Sequence, residues 1–163
     1  YVRNYTPGID LSWQEVFQTD NKEDMDKYCQ DNNIEYEWLN DGNQLRTKQI
    51  LQATTIHPVT GGKVWFNQAN LFHVSALGED GKLLIDQLGV ENLPRNAYFG
   101  DGSEIDISLI NEINAVIEQE KFFFAWQKGD ILLIDNLLMN HGRNPFEGSR
   151  KVAVAMANVW KQV

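Results

Sequence analysis

Apolar and polar residues alternate over much of the chain, and this period of two predicts a series of short β-strands. The alternation begins at the first residue, in residues 1–5, and recurs where Ile34, Tyr36 and Trp38 alternate with Glu35, Glu37 and Leu39. The turn residues 40–43 follow that strand. Further extended or strand segments are predicted for residues 45–56, 63–70, 122–126, 131–135 and 150–160.

Helical patterns separate some of these strands. Ser12 followed by Glu15 is a capping box, which predicts a short helix that buries Trp13, Val16 and Phe17. A second helix is predicted for residues 22–30, a brief helical patch for residues 83–88, and the strongest helix begins after a cap at Asp106 or Ser108. The predicted inward residues are Met25, Tyr28 and Cys29 on the second helix, and Leu109, Ile110, Ile113, Val116 and Ile117 on the last.

Many short strands with a few helices predict a mainly β fold, a sandwich or barrel with flanking helices. Residues 1–163 show no internal repeat and no interdomain linker, so we expect a single domain. The chain lacks an initiator Met and begins inside a strand pattern. We therefore expect a part of a longer protein, and a processed chain whose first strand starts at once is the alternative.

Composition and charge exclude several classes of function. The net charge is −9, and an acidic surface repels nucleic-acid phosphates and anionic membranes. The one cysteine, Cys29, allows no intrachain disulfide, which suits a reducing cytoplasm. No stretch reaches the ~20 apolar residues that a membrane-spanning helix needs. We expect a cytoplasmic protein without a nucleic-acid or membrane partner.

Three histidines are candidates for chemistry. His57 precedes Pro58 at a predicted turn, where a structural or exposed side chain is the common outcome. His73 ends a predicted strand and is either a half-buried structural residue or a pocket residue. His141 follows an apolar strand and is by itself a weak ligand candidate.

The spacing of nine residues between His141 and Arg150 strengthens the case for a site. Two antiparallel strands joined by the intervening loop would bring the imidazole and the guanidinium into one cavity. A buried guanidinium requires an anion, and its planar fork matches a carboxylate. Iron bound by two histidines and one carboxylate leaves positions open for a chelating co-substrate and oxygen. The pattern therefore favours a metal at His141 and a dicarboxylate tail at Arg150.

The run WQKGDILLIDNLLMNHGRNPFEGSRKVAVAM, residues 126–156, resembles the end of the taurine dioxygenase-like (TauD/TfdA) oxygenases. The runs HPVTGGKVWFNQANLFH and YFGDGSEID are most similar to the SyrP-like and clavaminate-synthase-like branch, which acts in secondary metabolism. The resemblance covers nearly the whole chain. It implies a double-stranded β-helix (jelly roll), incomplete at its N-terminus, and an Fe(II)- and 2-oxoglutarate-dependent dioxygenase.

The same resemblance implies roles for individual residues. His141 matches the distal iron-ligand histidine, and Arg150 matches the residue that binds the distal carboxylate of 2-oxoglutarate. Asn67 matches a position that lines the cavity, while Asp135 and Asn136 match a pair that holds the loop before the histidine. A small polar or amino-acid-derived substrate, free or tethered to a carrier, is expected; its candidate ligands are Arg46, Gln68, Asn70 and Arg143. Arg143 is equally well read as a surface residue paired with Glu147.

The chain departs from the family pattern at the other two iron ligands. An HxD or HxE motif should supply them, but the residues two positions after the histidines, where the motif has its carboxylate, are Val59, Ser75 and Arg143. We therefore expect those ligands outside this chain, and we expect the chain alone to be inactive. The alternatives are a non-catalytic β-sandwich or inactive homologue that binds a ligand or partner, and, less favoured without an HxH pair, a cupin-type metal site. A fragment with an unpaired strand edge also leaves open a homo-oligomer.

Overall fold

The computed structural model describes residues 1–145, 147–149 and 151–157, with residues 79 and 80 described by their backbone alone. Within these residues, strands and helices alternate along the first 119 positions. The strands are β1 (Val2–Tyr5), β2 (Glu35–Leu39), β3 (Gln44–Lys48), β4 (Thr54–Ile56), β5 (Lys63–Trp65) and β6 (Arg95–Asn96). The helices are α1 (Trp13–Phe17), α2 (Lys22–Asp31), α3 (Ala69–Phe72), α4 (Gly78–Leu88) and α5 (Ile107–Gln119), with 3-10 turns at Val74–Leu77 and Val90–Asn92.

The larger sheet has the strand order β2-β3-β1-β6, and each neighbouring pair is antiparallel. Its period-two pattern places Leu45 of β3 and Tyr5 of β1 on the covered face, where they meet Trp13, Met25 and Cys29 of α1 and α2. These five side chains are almost completely buried. Removal of this apolar surface from water is what attaches the two helices to the sheet.

The local helix signals act as the sequence predicts. The Ser12 hydroxyl accepts the amide of Glu15, and the Glu15 carboxylate accepts the amide of Ser12, so the capping box is complete. The predicted second helix forms as α2 and buries Met25 and Cys29. Tyr28 is wrong as an inward residue: it remains 48% exposed, and its ring packs at the surface beside Phe17 with 5.3 Å between ring centroids.

The second part of the fold joins the β4–β5 hairpin to α3 and α5. A small core of Ala97, Ile105 and Ile110 packs against Tyr1, Ala69 and Phe72. The strand predicted for residues 63–70 is too long, because β5 ends at Trp65 and α3 begins at Ala69. The side chain of Asn67 causes this change, since its Oδ1 accepts the amide of Ala69 at 2.7 Å and so starts a turn.

Strands predicted for residues 122–126 and 131–135 do not form, and residues 151–157 of the predicted last strand also lack strand structure; residue 150 and residues 158–160 lie outside the described residues. The apolar side chains of this segment face solvent, with Ile131 94% and Leu133 95% exposed. A strand needs neighbouring backbone donors and acceptors, and the described part of the chain places no strand beside this segment. The fold is thus a mixture of antiparallel sheets and helices, and the larger sheet does not close. It is consistent with the fold of the family that the sequence resembles, but the described residues contain more helix than strand, so neither a mainly β fold nor the jelly-roll barrel is confirmed.

Candidate functional site

His141 lies just beyond a turn that Asp135 organises. The Asp135 Oδ1 accepts the amide of Leu137 at 3.0 Å, and its carbonyl oxygen accepts the amides of Leu138 at 3.1 Å and Met139 at 2.9 Å. This geometry agrees with the loop-holding role expected for Asp135. The His141 side chain is exposed two residues after the turn. Its assignment as an iron ligand stays a prediction.

The second oxygen of Asp135 bonds to a buried histidine from another part of the chain. His57 is 3% exposed, and its Nε2 lies 2.9 Å from the Asp135 Oδ2. The other ring nitrogen, Nδ1, accepts the amides of Thr60 at 3.1 Å and Val59 at 3.3 Å. Because Nδ1 receives two N–H groups, Nε2 carries the hydrogen and donates it to the carboxylate. This hydrogen bond, followed by that from the Leu137 amide, holds the pKa of Asp135 below its ordinary value.

Sequence reasoning placed His57 correctly in a turn but did not identify its partner. The two residues are 78 positions apart, so no local spacing indicates the pair. Two features of the sequence are weak signals for this pair. A histidine directly before Pro58 in a glycine-rich turn is suited to accept turn amides, and an aspartate before His141 is a conspicuous charge at the end of an apolar run.

Asn67 and Gln68 lie between β5 and α3, and Asn70 lies in the first turn of α3. The Asn67 Oδ1 accepts the Tyr1 hydroxyl at 2.6 Å, and its Nδ2 donates to the Gln52 carbonyl at 3.1 Å. The backbone amide of the exposed Gln68 donates to the Tyr1 hydroxyl oxygen at 2.8 Å. The side chain of the buried Asn70 donates from Nδ2 to the Asn114 Oδ1 at 2.8 Å. The structure therefore brings these three predicted residues together, with Asn67 and Asn70 bonded inside the fold.

Arg46 lies on β3, within the larger sheet. Its guanidinium donates to the Asn4 Oδ1 at 2.7 Å, to the Glu91 carbonyl at 3.1 Å and to the Asn92 Oδ1 at 3.2 Å. A further ion pair at 3.7 Å joins it to Glu37. Through these contacts Arg46 has a structural role, because it links β3 to β1, β2 and the segment before β6. Its role in substrate binding stays a prediction.

Arg143 and Arg150 are the two arginines nearest His141 in the sequence. Arg143 is exposed two positions after His141. Arg150 lies outside the described residues, so the expected cavity between His141 and Arg150 is untested. Both assignments stay predictions.

The described residues do not form an iron site by themselves. Among them, no group of three or more His, Cys, Asp or Glu side chains is arranged to hold a metal ion. His141 thus offers a single nitrogen ligand, and a facial triad requires two more.

Two grooves lie elsewhere on the described surface. One, of about 400 Å³, is lined by residues of α1, α2 and the loop between them, among them Phe17, Asp24 and Met25. A second, of about 180 Å³, lies over β2 and β3 beside Glu37 and Arg46. Both are open to solvent and neither includes His141, so we assign no reaction to them. No helix in the described part of the chain is long and apolar enough to cross a membrane.

Comparison with known proteins agrees with the sequence resemblance. Residues 3–156 match the family described as Taurine catabolism dioxygenase TauD, TfdA family. The dapdiamide synthesis protein DdaC of Enterobacter agglomerans is 45% identical over 157 residues, which cover 96% of this chain and 47% of that protein. A clavaminate synthase-like protein of Arabidopsis thaliana is 29% identical over 149 residues, which cover 91% of this chain and 42% of that protein. The chain spans about half the length of the curated relatives it matches.

Proposed function

The chain belongs to the TauD/TfdA family of taurine catabolism dioxygenases, and from this premise we propose that it forms part of an Fe(II)- and 2-oxoglutarate-dependent dioxygenase. The observation that carries the proposal is the family match over residues 3–156, which includes His141 and Arg150. The two similar proteins support the clavaminate-synthase-like branch of the family.

Within this enzyme the chain supplies part of the site. His141 would provide one imidazole ligand to iron, and the Arg150 guanidinium would bind the distal carboxylate of 2-oxoglutarate. The remaining two iron ligands come from an HxD or HxE motif outside these 163 residues. The greater length of the relatives supports this division. We assign no reaction step to the described residues.

The proposed reaction is hydroxylation of a small polar or amino-acid-derived substrate, free or carrier-tethered, in cytoplasmic secondary metabolism. DdaC, a synthesis protein, is the relative that supports a biosynthetic setting. Gln68 and Arg143 are the more accessible of the predicted substrate ligands. For Arg46, Asn67 and Asn70 to contact substrate, their hydrogen bonds within the fold would have to be exchanged or shared.

Anaerobic titration with Fe(II) and 2-oxoglutarate tests the division of the site. We expect the visible charge-transfer band of the ternary complex in the longer protein that contains this chain, and no band in the 163-residue chain. A band in the isolated chain would place a complete ligand set inside it and overturn the division. A longer protein without a band would favour the alternative, a non-catalytic binding module or inactive homologue.

Substitution of Arg150 in the longer protein tests the co-substrate site. Truncation of one partner of a buried charge pair costs roughly 2 kcal/mol or more, so Arg150→Ala should weaken 2-oxoglutarate binding by about 30-fold or more. The neighbouring exposed Lys151→Ala is the matched control and should leave the affinity unchanged. Equal affinities in Arg150→Ala and the wild type would remove Arg150 from the site.

A further inference from the structure

We propose that His57 is a positioning residue: its Nε2–H attaches residues 135–141 to the turn between β4 and β5, and so determines where His141 stands. The attachment follows from the hydrogen bond of 2.9 Å between His57 and Asp135. Its consequence for metal binding rests on the proposed function. The attachment itself does not.

The surroundings of His57 fix the direction of this hydrogen bond. The imidazole is 3% exposed, so both ring nitrogens need partners within the protein. Nδ1 has the amides of Val59 and Thr60, which can only donate. Nε2 must therefore donate, and a carboxylate oxygen is a strong acceptor for it.

Asp135 divides its two oxygens between the attachment and the turn. Oδ2 accepts from His57, and Oδ1 accepts the amide of Leu137 at 3.0 Å. The turn closes with the Met139 amide on the Asp135 carbonyl at 2.9 Å. His141 follows two residues later, within about 7 Å of chain reach from that closure. A displaced Asp135 would thus displace His141.

The attachment joins distant parts of the chain, while hydrogen bonds among the described residues at 127–139 are local. The Asp130 amide, for example, donates to the Gln127 carbonyl at 3.1 Å. In the described part of residues 121–157 no strand pairing fixes the backbone. The bond to His57 ties this segment to the β4–β5 hairpin, whose register is fixed by pairing of Thr54 with Trp65.

Two substitutions separate the attachment from the turn that His57 also stabilises. In His57→Asn, the side-chain oxygen replaces Nδ1 as acceptor for the Val59 and Thr60 amides, but the side chain is too short to reach Asp135. In His57→Gln, the amide group replaces the Nε2–H donor toward Asp135, and the acceptor near the turn is lost. If His57 only stabilises its own turn, His57→Asn should preserve the slow exchange of the wild type. If His57 positions residues 135–141, His57→Gln should preserve the slow exchange in that segment.

Amide hydrogen exchange in the 163-residue chain measures both effects. We expect His57→Asn to accelerate exchange at Leu137 and Met139 by about tenfold, the equivalent of roughly 1.4 kcal/mol, while the Gly61 amide, bonded to the His57 carbonyl, stays protected. His57→Gln should leave exchange at Leu137 and Met139 slow and accelerate exchange at the Gly61 amide. Asp135→Asn, which retains an oxygen for Leu137, should resemble His57→Asn, and the double variant should show no further loss. Unchanged exchange at Leu137 and Met139 in His57→Asn would overturn the attachment.

Of two further measurements, the first needs no variant, and the second distinguishes failure of the attachment from failure of the proposed function. Nitrogen NMR of the unmodified chain should show His57 with its hydrogen on Nε2, and a hydrogen on Nδ1 would overturn the proposal. In the longer protein, Fe(II) affinity should fall by about tenfold in His57→Asn and be restored in His57→Gln, as for residues that orient a metal ligand. Altered exchange with unaltered Fe(II) affinity would overturn the effect on His141. Absence of Fe(II) binding in the wild type would instead overturn the proposed function and leave the attachment intact.

Discussion

Asn4 and Arg46 lie directly opposite each other on β1 and β3, and the Arg46 Nε donates to the buried Asn4 Oδ1 at 2.7 Å. The Asn4 amide group in turn donates to the carbonyls of Leu93 at 2.6 Å and Glu91 at 3.0 Å. The pair therefore connects the sheet to the segment before β6. A buried amide with every polar atom bonded is stable only while its partners remain.

Replacement of Arg46 should therefore destabilise the fold. Arg46→Met retains an apolar stem but leaves the Asn4 Oδ1 without its donor, at a cost of about 1–3 kcal/mol in the free energy of unfolding. Urea denaturation measures the change. Lys48→Met, on the exposed end of the same strand, is the control and should stay within about 0.5 kcal/mol of the wild type. A stable Arg46→Met with impaired substrate binding would favour the substrate role predicted from the sequence.

Ile110 and Val116 test which face of α5 is buried. Ile110 is 0% exposed beside Ala97 and Ile105, whereas Val116 is 55% exposed. Ile110→Ala leaves a cavity and should cost about 2–5 kcal/mol. Val116→Ala should change the stability by no more than about 0.5 kcal/mol. Equal losses in the two variants by thermal or chemical denaturation would contradict the orientation of α5.

Cys29 should make the protein sensitive to alkali. Burial, assisted by the charge of Asp26, raises the pKa of its thiol from 9.0 to about 11. Between these two values the unfolded chain releases the proton that the folded chain retains, so the free energy of unfolding decreases as pH rises through that range. Cys29→Ala should show a smaller decrease from pH 9 to 11. Tyr5, whose pKa burial also raises, is present in both proteins, and the charge of Cys29 makes a lesser contribution to that shift, so the difference between the profiles includes the effect of Cys29 on Tyr5. Parallel pH profiles would contradict the shift.

The elements that the sequence predicts well are those with local causes. The capping box at Ser12 and Glu15 and the apolar spacing of Met25 and Cys29 act within one or two helical turns, and both predictions are confirmed. The apolar face predicted for α5 is partly wrong: Ile110 is buried, but Leu109 and Val116 are exposed. A periodic pattern selects a face of a helix, while the width of the buried stripe depends on what packs against it.

Features that depend on distant residues are predicted poorly. Apolar runs at residues 122–126 and 131–135 indicate strands, but a strand forms only beside a partner, and the described residues provide none. The hydrogen bond from His57 to Asp135 spans 78 positions and leaves no spacing to detect. The family pattern indicates His141 and Arg150 as site residues by their positions in the sequence. It says nothing of the distance between them, so their shared cavity stays a prediction.

Leu133 tests whether its segment is paired in this chain. It lies in an apolar run that predicts a buried strand, yet it is 95% exposed. Leu133→Ser should therefore leave the free energy of unfolding of the 163-residue chain within about 0.5 kcal/mol of the wild type. Leu45→Ser is the matched control: Leu45 is 0% exposed in the core of the sheet, and the same change there should cost about 2–5 kcal/mol or more. Both values come from urea denaturation at a protein concentration low enough to prevent association. A large loss in Leu133→Ser would show that the run is buried as the sequence predicts, and would contradict the exposed arrangement of residues 131–135.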